Sequence, residues 1–152
     1  MKLAEALKER SDLNKKIEQL SDRINNNALY QEGTTPAEEP IDLLKELDAS
    51  VARLQALMAA INHTNATTTI EEGQTITQLI AEKDALTMQV RIYRSLVEKA
   101  SQRIDRYSKT EIRILSAVDV KALQKKTDKI SKRIRQLDNT LQEFNWRTEV
   151  DI

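Results

Sequence analysis

The stretch Ile76-Thr77-Gln78-Leu79-Ile80-Ala81-Glu82-Lys83-Asp84-Ala85-Leu86-Thr87-Met88-Gln89-Val90-Arg91-Ile92-Tyr93-Arg94-Ser95-Leu96-Val97-Glu98-Lys99-Ala100 decides the fold. Its seam runs Ile76, Leu79, Lys83, Leu86, Val90, Tyr93, Val97, Ala100 and on to Ile104, with Lys83 the one charge in it. The spacings alternate between three and four and average about 3.5 residues, which keeps one stripe of a helix turned toward a partner helix.

Three further segments carry the same alternation. One runs Leu3, Ala6, Arg10, Leu13, Ile17, Leu20, Ile24; another runs Leu44, Leu47, Val51, Leu54, Met58, Ile61. The last runs Leu123, Thr127, Ile130, Ile134, Leu137, Leu141, Phe144. Extra apolar residues (Leu7, Leu43, Leu57, Ile80 and Leu96) flank these seams. A two-stranded coil has no use for them, whereas a helix touching two neighbours does. The expected architecture is all-α: one domain over residues 1–152, with four long helices (about 2–26, 40–62, 75–106 and 119–145) in an antiparallel coiled-coil-like bundle.

The joints between helices follow from backbone chemistry. The chain holds two glycines and two prolines, residues that break helices through backbone entropy and a missing N–H. Gly33, Pro36 and Pro40 fall in one joint and Gly73 in another. Pro40 suits a first helical position, with Asp42 in the first turn facing the positive end of the helix dipole. Thr75-Ile76-Thr77-Gln78 reads as a capping box, and Asp119 as an N-cap preceded by Val118, which has staple spacing to Leu123. The third joint is marked by a change of period instead. Thr110-Glu111-Ile112-Arg113-Ile114-Leu115-Ser116 alternates about every second residue and reads as a short extended segment over 110–116. Thr67-Thr68-Thr69-Ile70 is the other β-rich stretch, so a second extended segment is expected near 67–70. About 29 residues of helix, roughly 43 Å, separate the two stretches. Pairing between them therefore calls for two antiparallel copies.

Composition removes several function classes. There is no cysteine, hence no disulfide framework, cysteine-ligated zinc or thiol nucleophile. No apolar run approaches the roughly 20 residues that span a bilayer, and Glu5 interrupts the opening Met1–Leu7 segment where a signal peptide is apolar. The location expected is cytoplasmic, without membrane insertion, and the glycosylation sequons at Asn62 and Asn65 are coincidental. No seam carries an acid, as a carboxylate-bridged metal bundle needs. No phosphate loop or nucleophile–base signature is present. The chain is therefore expected not to be an enzyme and to bind no metal or cofactor.

Charge is the remaining signal. The chain has 24 basic and 24 acidic residues, but residues 1–76 hold 8 and 13 of these and residues 77–152 hold 16 and 11. The simplest explanation is that the halves pack on each other or on another copy; the alternative is a nucleic-acid-binding C-terminal half. Four cations with Tyr107 and Ser108 crowd Arg103–Arg113. That joint is a candidate ligand or interaction site through Arg103, Arg106, Tyr107, Ser108, Lys109 and Glu111, against the plainer alternative of a helix C-terminus favoured by the dipole. Asn62 and Asn65 form a neutral polar counterpart, most simply a capping turn, with His63 at the end of the second helix. The fourth helix is basic between Lys121 and Arg135. Arg10 and Lys83 either lie along apolar neighbours with their charges in water or pair with carboxylates. Trp146, Ile112 and Ile114 are candidate oligomer contacts.

Several stretches taken together resemble a known family. They include Met1–Leu7, Asn27-Ala28, Gln31-Glu32-Gly33, Pro36-Ala37-Glu38, Ile61-Asn62, Thr64–Thr67, Arg106-Tyr107-Ser108, Val118-Asp119-Val120, Gln142-Glu143 and Asn145-Trp146. Their order and content are similar to a family of small, uncharacterised bacterial helical proteins sometimes labelled septicolysin. The resemblance covers nearly the whole chain and implies an all-helical fold. The label implies a pore-forming cytolysin. The function expected from the residues themselves is non-enzymatic self-assembly, as a homo-oligomer, or protein interaction. Nucleic-acid or phosphate-ligand binding through the 103–113 joint and helix four is the alternative.

Overall fold

The structure, a computed structural model, describes residues 1–70, 73–102 and 114–152. Among them are four helices: α1 Leu3–Asn26, α2 Pro40–Thr67, α3 Ile76–Ser101 and α4 Val120–Arg147. α1 pairs with α2 and α3 with α4 along their lengths, while α1 meets α4 and α2 meets α3 over shorter contacts. Two antiparallel hairpins are thus joined at one end. There Leu3, Ala6, Leu57, Ile61, Ile76, Leu79, Leu137, Leu141 and Val150 form a common core. Leu20, Leu43 and Val90 are buried as well, but within their own hairpins and outside that cluster.

Local chemistry sets the ends. Thr75 Oγ1 accepts from Gln78 N at 3.2 Å while Gln78 Oε1 accepts from Thr75 N at 2.8 Å, closing the capping box. Asp119 Oδ1 accepts from Ala122 N at 3.0 Å, and Pro40 opens α2. Gly33, at φ 82°, lies in the α1–α2 connection, where Thr34 N donates to Gln31 O at 3.0 Å. That connection is tied back to α1: Asn27 Oδ1 accepts from Glu38 N at 3.0 Å, and the Glu38 carboxylate takes both arms of the Arg23 guanidinium.

The two chain ends clasp each other beside the shared core. Val150 N donates to Met1 O at 2.8 Å, Leu3 N to Thr148 O at 2.9 Å, and Lys2 Nζ reaches Glu149 at 2.8 Å. Val150 is buried under this short antiparallel bridge.

The β-rich stretch at 67–70 does not wait for another copy. Thr69 bridges Thr75 of its own chain, with Ile70 N donating to Gln74 O at 2.8 Å and Ile76 N to Thr68 O at 3.2 Å. The bridge satisfies the Ile70 and Ile76 amides within the chain. Of the 110–116 stretch, residues 110–113 lie outside the described residues, and Ile114–Ser116 form neither helix nor strand. α2 also runs past the expected end at residue 62, through Thr67, because Thr64 and Thr67 stay in helical register; Thr67 Oγ1 donates to the His63 carbonyl at 2.9 Å.

Candidate interaction surfaces

The seams of α1, α3 and α4 face their partners as their spacing predicts, but α2 is turned by one position. Leu43, Ser50, Leu57, Ile61 and Thr64 are its buried residues, whereas Leu44, Val51 and Met58 are exposed. Leu47 and Leu54 are half-buried between the two rows. Ser50 can sit in the seam because its hydroxyl donates to Glu46 O at 2.8 Å, so no polar hydrogen is stranded. The apolar arc of α2 is wider than α1 can cover. The flanking leucines Leu43 and Leu57, which the spacing leaves beside the seam, are the ones it buries.

The outer face of α2 is unusual in a chain that is 32% charged. From Ala49 to His63 every exposed residue (Ala49, Val51, Ala52, Gln55, Ala56, Met58, Ala59, Asn62 and His63) is free of carboxylate, ammonium and guanidinium groups. Arg53, in the same span, is half-buried and paired with Glu9 of α1 through bonds of 2.7 and 3.0 Å. α3 adds a second exposed apolar row at Met88, Ile92 and Leu96. Sequence patterning missed the α2 face because apolar spacing does not register alanine and neutral polar residues. The signal is the run from Ala49 to Ile70, in which Arg53 is the sole Asp, Glu, Lys or Arg.

Electrostatics divides along the hairpins. Lys16–Glu46, Arg23–Glu38 and Arg53–Glu9 tie the first hairpin, and Lys83–Asp138 and Arg133–Glu82 tie the second. Lys83 thus pairs across the seam with a half-exposed carboxylate, while Arg10 makes no ion pair among the described residues. Among the described residues, the ion pairs that join two helices lie within a hairpin, and Lys2–Glu149 links the chain ends. The cationic excess sits on α4, where Lys121, Lys125, Lys129, Lys132 and Arg135 have no carboxylate within ion-pair distance among the described residues.

Between α3 and α4 a groove of about 620 Å³ is lined by Leu86 and Ile130 together with Glu82, Gln89, Lys125, Lys126, Lys129 and Arg133. Just beyond it the Lys126 ammonium lies 5.2 Å from the Tyr93 ring centroid. Lys126, with Gln89 donating to the phenol oxygen at 3.2 Å, holds the Tyr93 pKa below its ordinary value. Deeper in this seam a polar step replaces apolar packing. Thr127 donates to Leu123 O at 2.8 Å, Ser131 to Thr127 O at 2.8 Å, and Arg94 to Ser131 Oγ at 3.0 Å.

Of the residues singled out in the sequence, Asn62, Asn65, Ile114 and Trp146 are among those described. Arg103, Arg106, Tyr107, Ser108, Lys109, Glu111 and Ile112 lie outside the described residues. Asn62 is exposed on the outer face of α2, and Asn65, one turn on, is half-buried, its Oδ1 without a hydrogen-bond partner among the described residues. Both are helical, so they make no capping turn. Ile114 and Trp146 are largely exposed, at 69% and 66%. Among the described residues no three His, Asp or Glu side chains are grouped to hold a metal ion, and no helix is long and apolar enough to cross a membrane.

Comparison with known proteins gives the same fold and no activity. A solved structure titled "Crystal structure of a functionally unknown conserved protein from Corynebacterium diphtheriae" is 36% identical, covers 99% of this chain and 99% of its own, and superposes with a TM-score of 0.89. No curated protein matches. A family described as "Family of unknown function (DUF6847)" matches residues 10–150. Neither match supports the septicolysin name. The chain belongs to this family of unknown function.

Proposed function

We propose that the protein is a non-enzymatic assembly component that associates with a second copy of itself through the outer face of α2. The observation that carries this is the uncharged exposed surface from Ala49 to His63. Interfaces are distinguished from other surface by depletion of charge at their centre, and here the depletion is continuous over about four helical turns.

The exposed apolar row Leu44, Val51 and Met58, which begins before Ala49, supports a two-fold partner. Leu44 and Met58 stand seven residues to either side of Val51, so an axis at Val51 sets Leu44 of one copy opposite Met58 of the other. A closed dimer needs a self-complementary surface of this kind. Ala52 and Ala59 beside the row allow close backbone approach. α2 would then have the second neighbour that its apolar width calls for, which α3 supplies only toward one end.

The deciding measurement is mass in solution by light scattering at micromolar concentration. A dimer that Val51→Glu converts to a folded monomer is the expected result. A monomeric parent protein, or a dimer indifferent to Val51→Glu and Met58→Glu together, would remove the proposal.

A further inference from the structure

We infer that the outward face of α4 binds the phosphodiester backbone of double-stranded nucleic acid without reading sequence. Lys121, Lys125, Lys129, Lys132 and Arg135 succeed one another at spacings of four, four, three and three. They therefore share one side of the helix over roughly 21 Å. The four lysines and Arg135 are exposed, and none has a carboxylate within ion-pair distance among the described residues. Asp128 is the acid on this side, and its Oδ1 is engaged by Gln124 Nε2 at 3.1 Å. Five like charges in a row repel one another, a cost that a polyanion relieves while its condensed counterions are released.

The chemistry of the face selects among polyanions. A protein partner needs apolar anchors at the centre of the contact, and along α4 the exposed large apolar residue is Trp146, three turns beyond Arg135. Single strands are held by stacking on aromatic rings; α4 has no aromatic residue between Val120 and Glu143, and the neighbouring Tyr93 ring on α3 is covered by Lys126. A membrane surface takes up an amphipathic helix by its apolar side, but that side of α4 is packed against α3, with Thr127 and Leu137 buried. A duplex asks only for a line of cations on a rigid support, and the antiparallel α3–α4 hairpin is that support.

The test is fluorescence anisotropy with the full chain and a labelled duplex of about thirty base pairs. With about four phosphates neutralised, affinity falls roughly a hundredfold between 50 and 200 mM salt. Lys125→Gln with Lys132→Gln flattens the salt slope by about two, whereas Lys8→Gln with Lys15→Gln, which removes the same charge from α1, leaves it unchanged. Three results would each overturn the inference: no binding at 50 mM salt, equal loss in the two double variants, or binding to phosphatidylserine vesicles with none to duplex.

Discussion

Ser50 and Val51 are neighbours whose burial is the reverse of their polarity: the hydroxyl is packed against α1 at 5% exposure, and the isopropyl group stands 46% open. Val51 therefore contributes little to the hairpin. Its replacement by Lys is expected to move the urea midpoint of the monomer by no more than a surface change does, within about 0.5 kcal/mol, while abolishing self-association in light scattering. Ser50→Leu is the opposite case. It overfills the α1–α2 seam and is expected to cost about 1–3 kcal/mol.

Acid weakens the fold through the ion pairs that tie the hairpins. The carboxyls of Glu9, Glu38, Glu46 and Asp138 are each held below their ordinary values, chiefly by hydrogen bonds from Arg53, Arg23, Lys16 and Lys83 in turn. Glu149 is lowered likewise by Lys2. A carboxylate whose folded pKa lies below its unfolded one stabilises fully above the unfolded value and loses that contribution as pH falls through the folded one. The urea midpoint is therefore expected to be flat near neutrality and to decline below about pH 4. Asp138→Asn should make that decline shallower. A midpoint that rises on acidification would contradict these pairs.

How far the sequence reveals the molecule depends on what each residue type reports. Leu3, Leu20, Ile76, Leu79, Leu137 and Leu141 declare their burial because apolar periodicity records contact with a neighbouring helix. Thr75, Gln78, Pro40 and Asp119 declare the helix starts because each offers a particular backbone partner or φ. Periodicity cannot say which edge of a wide apolar arc a single neighbour covers, so it places Leu44, Val51 and Met58 in the seam where Leu43, Ser50 and Leu57 are found. Nor can it mark the α2 face, whose signal is missing charge. The lysines of α4 are plain in the sequence, but their lack of carboxylate partners among the described residues appears only once α3 is in place.

Tyr93 offers a local probe of the α3–α4 groove. Lys126 lies over its ring and, with Gln89, favours the phenolate, so the Tyr93 titration is displaced downward. Lys126→Gln removes the cation and is expected to return that titration toward the ordinary phenol value of about 10. Ultraviolet difference titration of parent and variant reads the change, with a Tyr93→Phe protein identifying which of the three tyrosines moved. Superimposable parent and variant curves would mean that Lys126 does not rest on the ring in solution.

Cooperativity between the hairpins must pass through the end where they meet. Ile61, 1% exposed, belongs to the shared cluster, whereas Leu20, fully buried, packs within the first hairpin outside it. Truncation of either to alanine is expected to cost about 2–5 kcal/mol, so loss of stability alone does not distinguish them. The distinction lies in how the helices melt. Trp146 fluorescence follows α4 and far-ultraviolet circular dichroism follows all the helices, and coincident transitions are the mark of one cooperative unit. Leu20→Ala leaves the junction intact, so its two curves shift together. Ile61→Ala weakens the junction itself, and the two curves are expected to separate as the hairpins melt apart. Coincident curves in Ile61→Ala would show that the coupling is carried by the terminal clasp of Met1, Leu3, Thr148 and Val150 instead, because those backbone bonds also bridge α1 to the end of α4.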